Sequence, residues 1–228
     1  MKKPGKIRRA VLWDMDGTIL DSAGEHWTAW KEILEAEGRP VAYEEFRRSF
    51  GQRNDLILRG IFGPGLSDEE IDRIGSAKEA RYRKLVRSRG VSFLPGVKLW
   101  LGRFRERGWL QAVASSAPRE NIRTVLDGLC AAGFFAAVVS AEDVSRGKPD
   151  PQVFLRAAER LGVSPSDCLV IEDAPAGIEA ARRAGMKSVG VLNSHSRLDA
   201  DISLRSLREL DEENLELLLR SHAAGGPA

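Results

Sequence analysis

Ile7-Arg-Arg-Ala-Val-Leu-Trp13, followed by Asp14-Met15-Asp16-Gly17-Thr18, is the stretch on which the fold turns. From Ile7 to Trp13 it reads as a short buried strand that ends at Asp14. In extended backbone alternate side chains share a face, so Asp14 and Asp16 can point together into a site while Met15 points into packing. Gly17 permits a tight turn and a close backbone approach to a ligand. Two crowded carboxylates repel unless a cation or a proton sits between them. Taken alone, the same residues also suit an ordinary polar turn after a strand.

Downstream the pattern turns helical. Ser22-Ala-Gly-Glu25 has the spacing of a capping box, and a helical pattern runs on to Gly38. Residues 43 to 90 continue as helical pieces, with a second capping box at Ser67 and Glu70 ahead of a charged helix rich in Arg and Lys. No strand pattern stands between Leu20 and Val91. After that block, apolar strands alternate with helices. Strands are read at Leu110–Ala114, Ala136–Val139, Leu169–Ile171 and Lys187–Leu192. Helices follow Pro118, start at Asp150-Pro151, open at Pro175 and close at Gly185; Ser206 with Glu209 is read as capping a last one, ahead of a frayed end from Ala223 to Ala228. Such alternation implies an α/β fold, a Rossmann-like parallel sheet core covered on both faces. The helical block is then an inserted all-helical cap domain over the sheet's carboxyl edge. The expected division is a core of residues 1–20 and 93–228 and a cap of residues 21–92, with hinges near Leu20 to Ser22 and Ser92 to Pro95.

Length and composition set the outer bounds. The 228 residues suit one large domain or one domain with an insert. A formal net charge of +2 argues against nucleic acid as a partner of the whole chain, and the basic residues Lys2, Lys3, Lys6, Arg8 and Arg9 read as a solvated terminus. Cys130 and Cys168 lack metal spacing and fit a reducing compartment. No apolar run approaches the roughly 20 residues of a membrane helix. Asp14 interrupts the first apolar stretch too early for a signal peptide. A cytoplasmic monomer with no membrane partner is expected.

Three further signals stand at strand ends. Ser115 and Ser116 follow Ala114, where hydroxyls and amides at a helix N-terminus can hold phosphate oxygens, or simply cap the helix. Lys148, in Gly147-Lys-Pro-Asp150, can neutralise a phosphate and an attacking carboxylate, or stand exposed on a loop. Glu172-Asp173 offers hard oxygen ligands suited to magnesium, or an N-cap for the helix opening at Pro175. All fall, with Asp14 and Asp16, at strand ends of one parallel sheet, where such sheets bind ligands.

As a set, Asp14-Met15-Asp16-Gly17-Thr18, Ser115, Lys148 and Glu172-Asp173 resemble the four ordered motifs of the haloacid dehalogenase superfamily. Val113-Ala-Ser-Ser-Ala-Pro118, Gly147-Lys-Pro-Asp-Pro151 and Ile171-Glu-Asp-Ala-Pro-Ala-Gly-Ile178 are similar to its branch of β-phosphoglucomutase and small-molecule phosphatases. The resemblance implies that Asp14 becomes a phospho-aspartate and that Asp16 acts as general acid and then base. It implies that Gly17, Ser115, Ser116 and Lys148 bind the phosphoryl group. It also implies a magnesium cofactor held by Asp14, the backbone carbonyl of Asp16, Asp173 and, directly or at one remove, Glu172. An Asp at position 16 suits an alkoxide leaving group, which needs a proton, and not a halide. His26 matches a histidine that β-phosphoglucomutase uses near its acid–base aspartate, and is also readable as cap packing. In Phe50-Gly51-Gln52-Arg53-Asn54 the mutase pattern of lysine-glycine and a later arginine is altered: Phe50 replaces the lysine and Asn54 stands where the arginine is expected, with Arg53, one helical step away, the residue that can substitute. The implied activity is therefore a magnesium-dependent phosphatase of small phosphorylated metabolites, sugar phosphates above all, with cap contacts from His26, Gly51, Gln52, Arg53 and Asn54. A phosphosugar mutase is the alternative, and a non-catalytic binding protein on the same fold is a third reading.

Overall fold

A computed structural model describes residues 8–220 of the chain. Six strands form one parallel sheet: β1 (Ala10–Trp13), β2 (Leu110–Ala114), β3 (Ala137–Val139), β4 (Cys168–Glu172), β5 (Lys187–Val191) and β6 (Ile202–Leu204), in the order β3-β2-β1-β4-β5-β6. Alternation along the strands divides the core. Val11 and Trp13 of β1 face one way, with Val113, Leu169 and Ile171, against Trp100 and Phe104 of α5 (Val97–Glu106) and Ile122 and Val125 of α6 (Arg119–Gly128). Ala10 and Leu12 face the other way, with Ala112, Ala114 and Val170, against Val153 and Phe154 of α7 (Gln152–Leu161) and Ala180 and Ala181 of α8 (Pro175–Arg183). Strands buried on both faces need continuous apolar runs, and β1 and β4 have them.

Between β1 and α5 lie four helices and no strand: α1 (Ala23–Ala36), α2 (Tyr43–Ser49), α3 (Asn54–Phe62) and α4 (Asp68–Arg89). They bury a core of their own around Trp30, Leu34, Phe46, Leu58, Ile71 and Ile74. The 22-residue α4 is long enough to serve both cores, since its last turns add Tyr82, Leu85 and Val86 to the sheet-side cluster. The chain enters and leaves this block through adjacent backbone: Leu20 bridges Phe93, and Leu94 N donates to Ile19 O at 2.9 Å. No helix among the described residues is long and apolar enough to cross a membrane.

Several local expectations change. β1 begins at Ala10; Ile7, with Lys2, Lys3 and Lys6 and the stretch Ala223 to Ala228, lies outside the described residues. Ser22 precedes α1 but forms no capping box, because its hydroxyl donates to Asp16 Oδ1 at 2.5 Å instead. Ser206 and Glu209 shape a turn and start no helix. The Ser206 hydroxyl donates to Pro95 O and Glu209 Oε2 accepts from Arg205 N. The last helix, α9 (Glu212–Arg220), starts later, where Asp211 Oδ1 accepts from Asn214 N at 2.7 Å. The Ser67–Glu70 capping box forms as read. At Asp150-Pro151 the helix opens one residue late, with Asp150 Oδ1 accepting from Gln152 N at 3.1 Å. α5 and β6 have no counterpart in the sequence reading.

Candidate active site

Strand order reverses between β1 and β4, which lie side by side while β2 and β3 extend to one edge and β5 and β6 to the other. The carboxyl ends of such neighbours frame a crevice. Asp14 follows β1, and Glu172 ends β4 with Asp173 next in line. Asp14 N donates to Ile171 O at 3.0 Å, so the ladder itself fixes the first carboxylate. Asp14, Glu172 and Asp173 each offer an oxygen within 4.8 Å of the others.

Lys148 reaches this cluster from the loop before α7. Its Nζ donates to Asp14 Oδ1 at 2.5 Å and to Glu172 Oε1 at 2.8 Å, and sits 5.0 Å from the Phe154 ring centroid. One ammonium among three buried carboxylates leaves excess negative charge. Burial, reinforced by the Glu172 charge and opposed by Lys148, pushes the Asp14 carboxyl up to about 7. Burial followed by the charges of Glu172 and Asp14 lifts Asp173 well above the usual carboxylate range. Burial disfavours the Lys148 ammonium, but Asp14 and Glu172 outweigh it and raise its pKa. Asp173 Oδ2 is buried with no hydrogen-bond partner. Orphaned oxygen and surplus negative charge are what a hard divalent cation satisfies, so these residues fit a metal.

Two glycines let the cluster close. Gly17 has φ +86°, and a Cβ there would collide with the Asp173 carboxylate. A Cβ on Gly177 of α8 would collide with Glu172, whose Oε2 accepts from Ala174 N at 2.5 Å. The Gly17 amide donates to Leu20 O at 2.8 Å, so what this glycine provides is close approach. Ser115 is buried at the end of β2, its amide committed to Val139 O and its hydroxyl accepting from Ala117 N at 3.0 Å; Ser116 lines the cleft beside it.

Asp16 faces the helical block. Its Oδ1 accepts from Ser22 Oγ at 2.5 Å and lies 3.3 Å from His26 Nε2 and 3.4 Å from Tyr82 Oη. Burial alone would raise its pKa, but His26, Ser22 and Lys78 together hold it below the usual carboxylate range. The His26 tautomer follows from its other side, where Lys78 Nζ lies 2.8 Å from Nδ1. An ammonium only donates, so Nδ1 accepts and Nε2 carries the hydrogen that points at Asp16. Lys78 also donates to Glu79 Oε1 at 2.8 Å. Glu79 in turn accepts from Asn54 Nδ2 at 2.8 Å and from Asn121 Nδ2 of α6 at 2.5 Å. Continuous hydrogen bonding therefore runs from the sheet side, through α4, to Asp16.

The three clustered carboxylates and Lys148, together with Asp16, His26, Lys78 and Glu79, line one cleft of about 670 Å³. Gly51, Gln52, Arg53 and Asn54 line it from the helical block. Arg53 Nη1 donates to Val144 O at 3.2 Å and its Nε to Asp55 Oδ1 at 3.1 Å, while Phe50 packs against His26 with ring centroids 5.8 Å apart. The sequence reading missed Lys78, Glu79, Tyr82, Asn121 and His195. A signal for Lys78 existed: Ile71, Ile74, Lys78, Tyr82 and Leu85 recur at helical spacing, which puts the lysine in the apolar stripe of α4. For His195 the available hint was only that it follows another strand end.

Among known proteins, the chain matches the family of haloacid dehalogenase-like hydrolases over residues 8–185. It is 35% identical over 216 residues to the β-phosphoglucomutase of Bacillus subtilis strain 168, covering 92% of this chain and 93% of that one. It is 34% identical over 184 residues to the fructose-1-phosphate phosphatase of Escherichia coli strain K12, covering 79% and 95%. The crystal structure of β-phosphoglucomutase from Clostridium difficile is similar with a TM-score of 0.84 at 27% identity, over 96% of this chain and 100% of that chain.

Proposed function

We propose, from the premise that this chain belongs to the haloacid dehalogenase-like hydrolase family, that it is a magnesium-dependent phosphatase of small sugar phosphates. Residues 21–92 act as the cap domain and the remainder as the catalytic core. Asp14 Oδ attacks phosphorus, the bond from phosphorus to the ester oxygen breaks, and Asp16 gives that oxygen its proton. Asp16 then takes a proton from water as the water oxygen attacks phosphorus, the bond to Asp14 breaks, and inorganic phosphate leaves. The three donors around Asp16 converge on Oδ1, which leaves Oδ2 to carry and accept the proton. Lys148 and the Ser115 hydroxyl balance charge on the phosphoryl oxygens, and phosphoryl transfer depends on such positioning and charge compensation. Asp14, the backbone carbonyl of Asp16, Asp173 and, directly or at one remove, Glu172 would hold the magnesium ion, which when bound offsets negative charge on the phosphoryl group and on Asp14.

One observation carries hydrolysis over mutase chemistry. The helical block presents no uncommitted cation at the family's expected distal-phosphate positions: Phe50 packs on His26, Asn54 is bonded to Glu79, and Arg53 is held by Val144 O and Asp55. A mutase must grip a bisphosphate while it turns over; without that grip a small product diffuses away and water enters. The mutase reading draws support from the β-phosphoglucomutase relatives and from His26 beside Asp16. Phosphate release and isomerisation, measured side by side on β-glucose 1-phosphate with and without a bisphosphate primer, separate the two. Release of inorganic phosphate from sugar monophosphates without primer is expected; isomerisation to glucose 6-phosphate outpacing release would reverse the assignment.

A further inference from the structure

The loop after β5 takes no part in the chemistry above, yet it closes one side of the carboxylate cluster. The Ser194 hydroxyl lies beside the Asp173 carboxyl and opposes the rise that burial imposes on it. The same hydroxyl is 2.9 Å from where a Cβ on Gly17 would stand, so residues 17, 173 and 194 converge. The His195 ring lines the cleft, and its Nδ1 is 3.1 Å from the backbone oxygen of Asp173. A carbonyl only accepts, so Nδ1 carries the hydrogen and donates. From the far side, Arg47 Nη2 of α2 donates to Ser194 O at 3.3 Å, which ties the loop to the helical block.

The peptide that His195 holds is the one that matters most for aim. The ladder between β4 and β5 ends at the pair Glu172 and Gly190, one residue short of Asp173, and α8 does not begin until Pro175. Asp173 thus sits in the gap between strand and helix, where neither ladder nor helical bonding fixes its carbonyl. Its side chain nevertheless must point at a position shared with Asp14 and Glu172. We infer that His195 is a positioning residue for Asp173: through Nδ1–H it fixes the peptide that aims the Asp173 carboxylate at the cation site. The inference rests on the proposed magnesium site and adds a residue to it.

Magnesium binding to the metal-free protein, followed by titration calorimetry with no substrate present, tests this directly. An Asn side chain places its amide N–H where Nδ1 stands, whereas Gln places it where Nε2 stands. His195→Ala and His195→Gln should weaken magnesium binding roughly tenfold, the lower end of what losing an outer partner of a metal ligand costs. His195→Asn should restore it. Equal affinities in the three variants, whether at the wild-type value or uniformly weakened, would overturn the inference, since packing alone would then explain the ring. Asp173→Asn serves as the control on the site itself. If that variant loses magnesium binding and His195→Ala does not, the inference falls and the site stands. If Asp173→Asn binds magnesium normally, both fall together.

Discussion

Asp14 and Asp16 are two residues apart and chemically identical, yet their surroundings push them in opposite directions. Asp14 is driven up to about 7 by burial and by Glu172, while Asp16 is drawn down against burial by His26, Ser22 and Lys78. In the substrate-free fold these shifts run against the proposed tasks: Asp14 needs a compensating cation to be the ionised nucleophile, and Asp16 must take up a proton on Oδ2 before it can serve as the acid. Asp14→Asn is isosteric and a poor nucleophile, so turnover should vanish while the melting temperature shows an intact fold. Asp16→Asn should bind phosphate and metal but lose about 10²–10⁴-fold in rate on alkyl phosphates, the usual size of a proton-transfer contribution. On an aryl phosphate, whose leaving group needs less protonation, the loss should shrink. Equal losses on both esters, with chemistry limiting each, would remove Asp16 from the acid role.

Among the elements, α4 carries the most unexpected burden. A helix dense in Arg and Lys reads as a solvated face, but Lys78 and Glu79 are both buried, and they join His26 on α1 to Asn121 on α6. Glu79→Ala leaves the Lys78 charge buried without its carboxylate, and breaking one partner of a buried pair costs about 3–5 kcal/mol. Glu79→Gln keeps an acceptor for Lys78 and should cost visibly less, and urea melts of the two variants would expose any failure of that order. How far the elements were legible follows local chemistry. β1 and β4 could be read because strands buried on both faces need continuous apolar runs, and α8 because Pro175 and Gly185 bracket it. β6 could not, since Ile202–Leu204 is three residues with a polar centre, and its strand state comes from pairing with β5. Ser22 and Ser206 had capping spacing, but a tertiary acceptor, Asp16 in one case and the Pro95 carbonyl in the other, won each hydroxyl. Asp14, Ser115, Glu172 and Asp173 were legible because they sit at strand ends close to their own elements; Lys148 stands instead on the loop before α7, well past the end of β3 at Val139. The contacts of Asn121 and His195 depend on partners 42 and 22 residues away, and no local pattern signals them.

For the molecule as a whole, the carboxylate cluster makes stability depend on pH and on metal in opposite senses. In the metal-free fold Asp14 keeps its proton until about pH 7, while an unfolded chain releases it near 3.8. Between those values the folded state binds more protons than the unfolded one, so stability falls as pH rises. The contribution is complete below 3.8, is lost as pH climbs to about 7, and changes no further above it; Asp173, raised in the same direction, adds to the trend. Asp14→Asn removes this titration. Urea melts in a chelating buffer should therefore show the wild type losing ground to Asp14→Asn steadily from about pH 4 to pH 7, with a constant gap at higher pH. Magnesium should act the other way, because its ligands bind as ionised carboxylates and only the folded chain assembles them. At a free concentration of about 100 times its Kd it should add about 2.7 kcal/mol, and a fixed magnesium concentration should stabilise more at pH 8 than at pH 5. A gap between wild type and Asp14→Asn that ignores pH in the metal-free protein would mean that Asp14 is not held protonated by the fold. The excess negative charge would then have to be relieved within the chain, and the case that these carboxylates are built around a cation would lose its main electrostatic support.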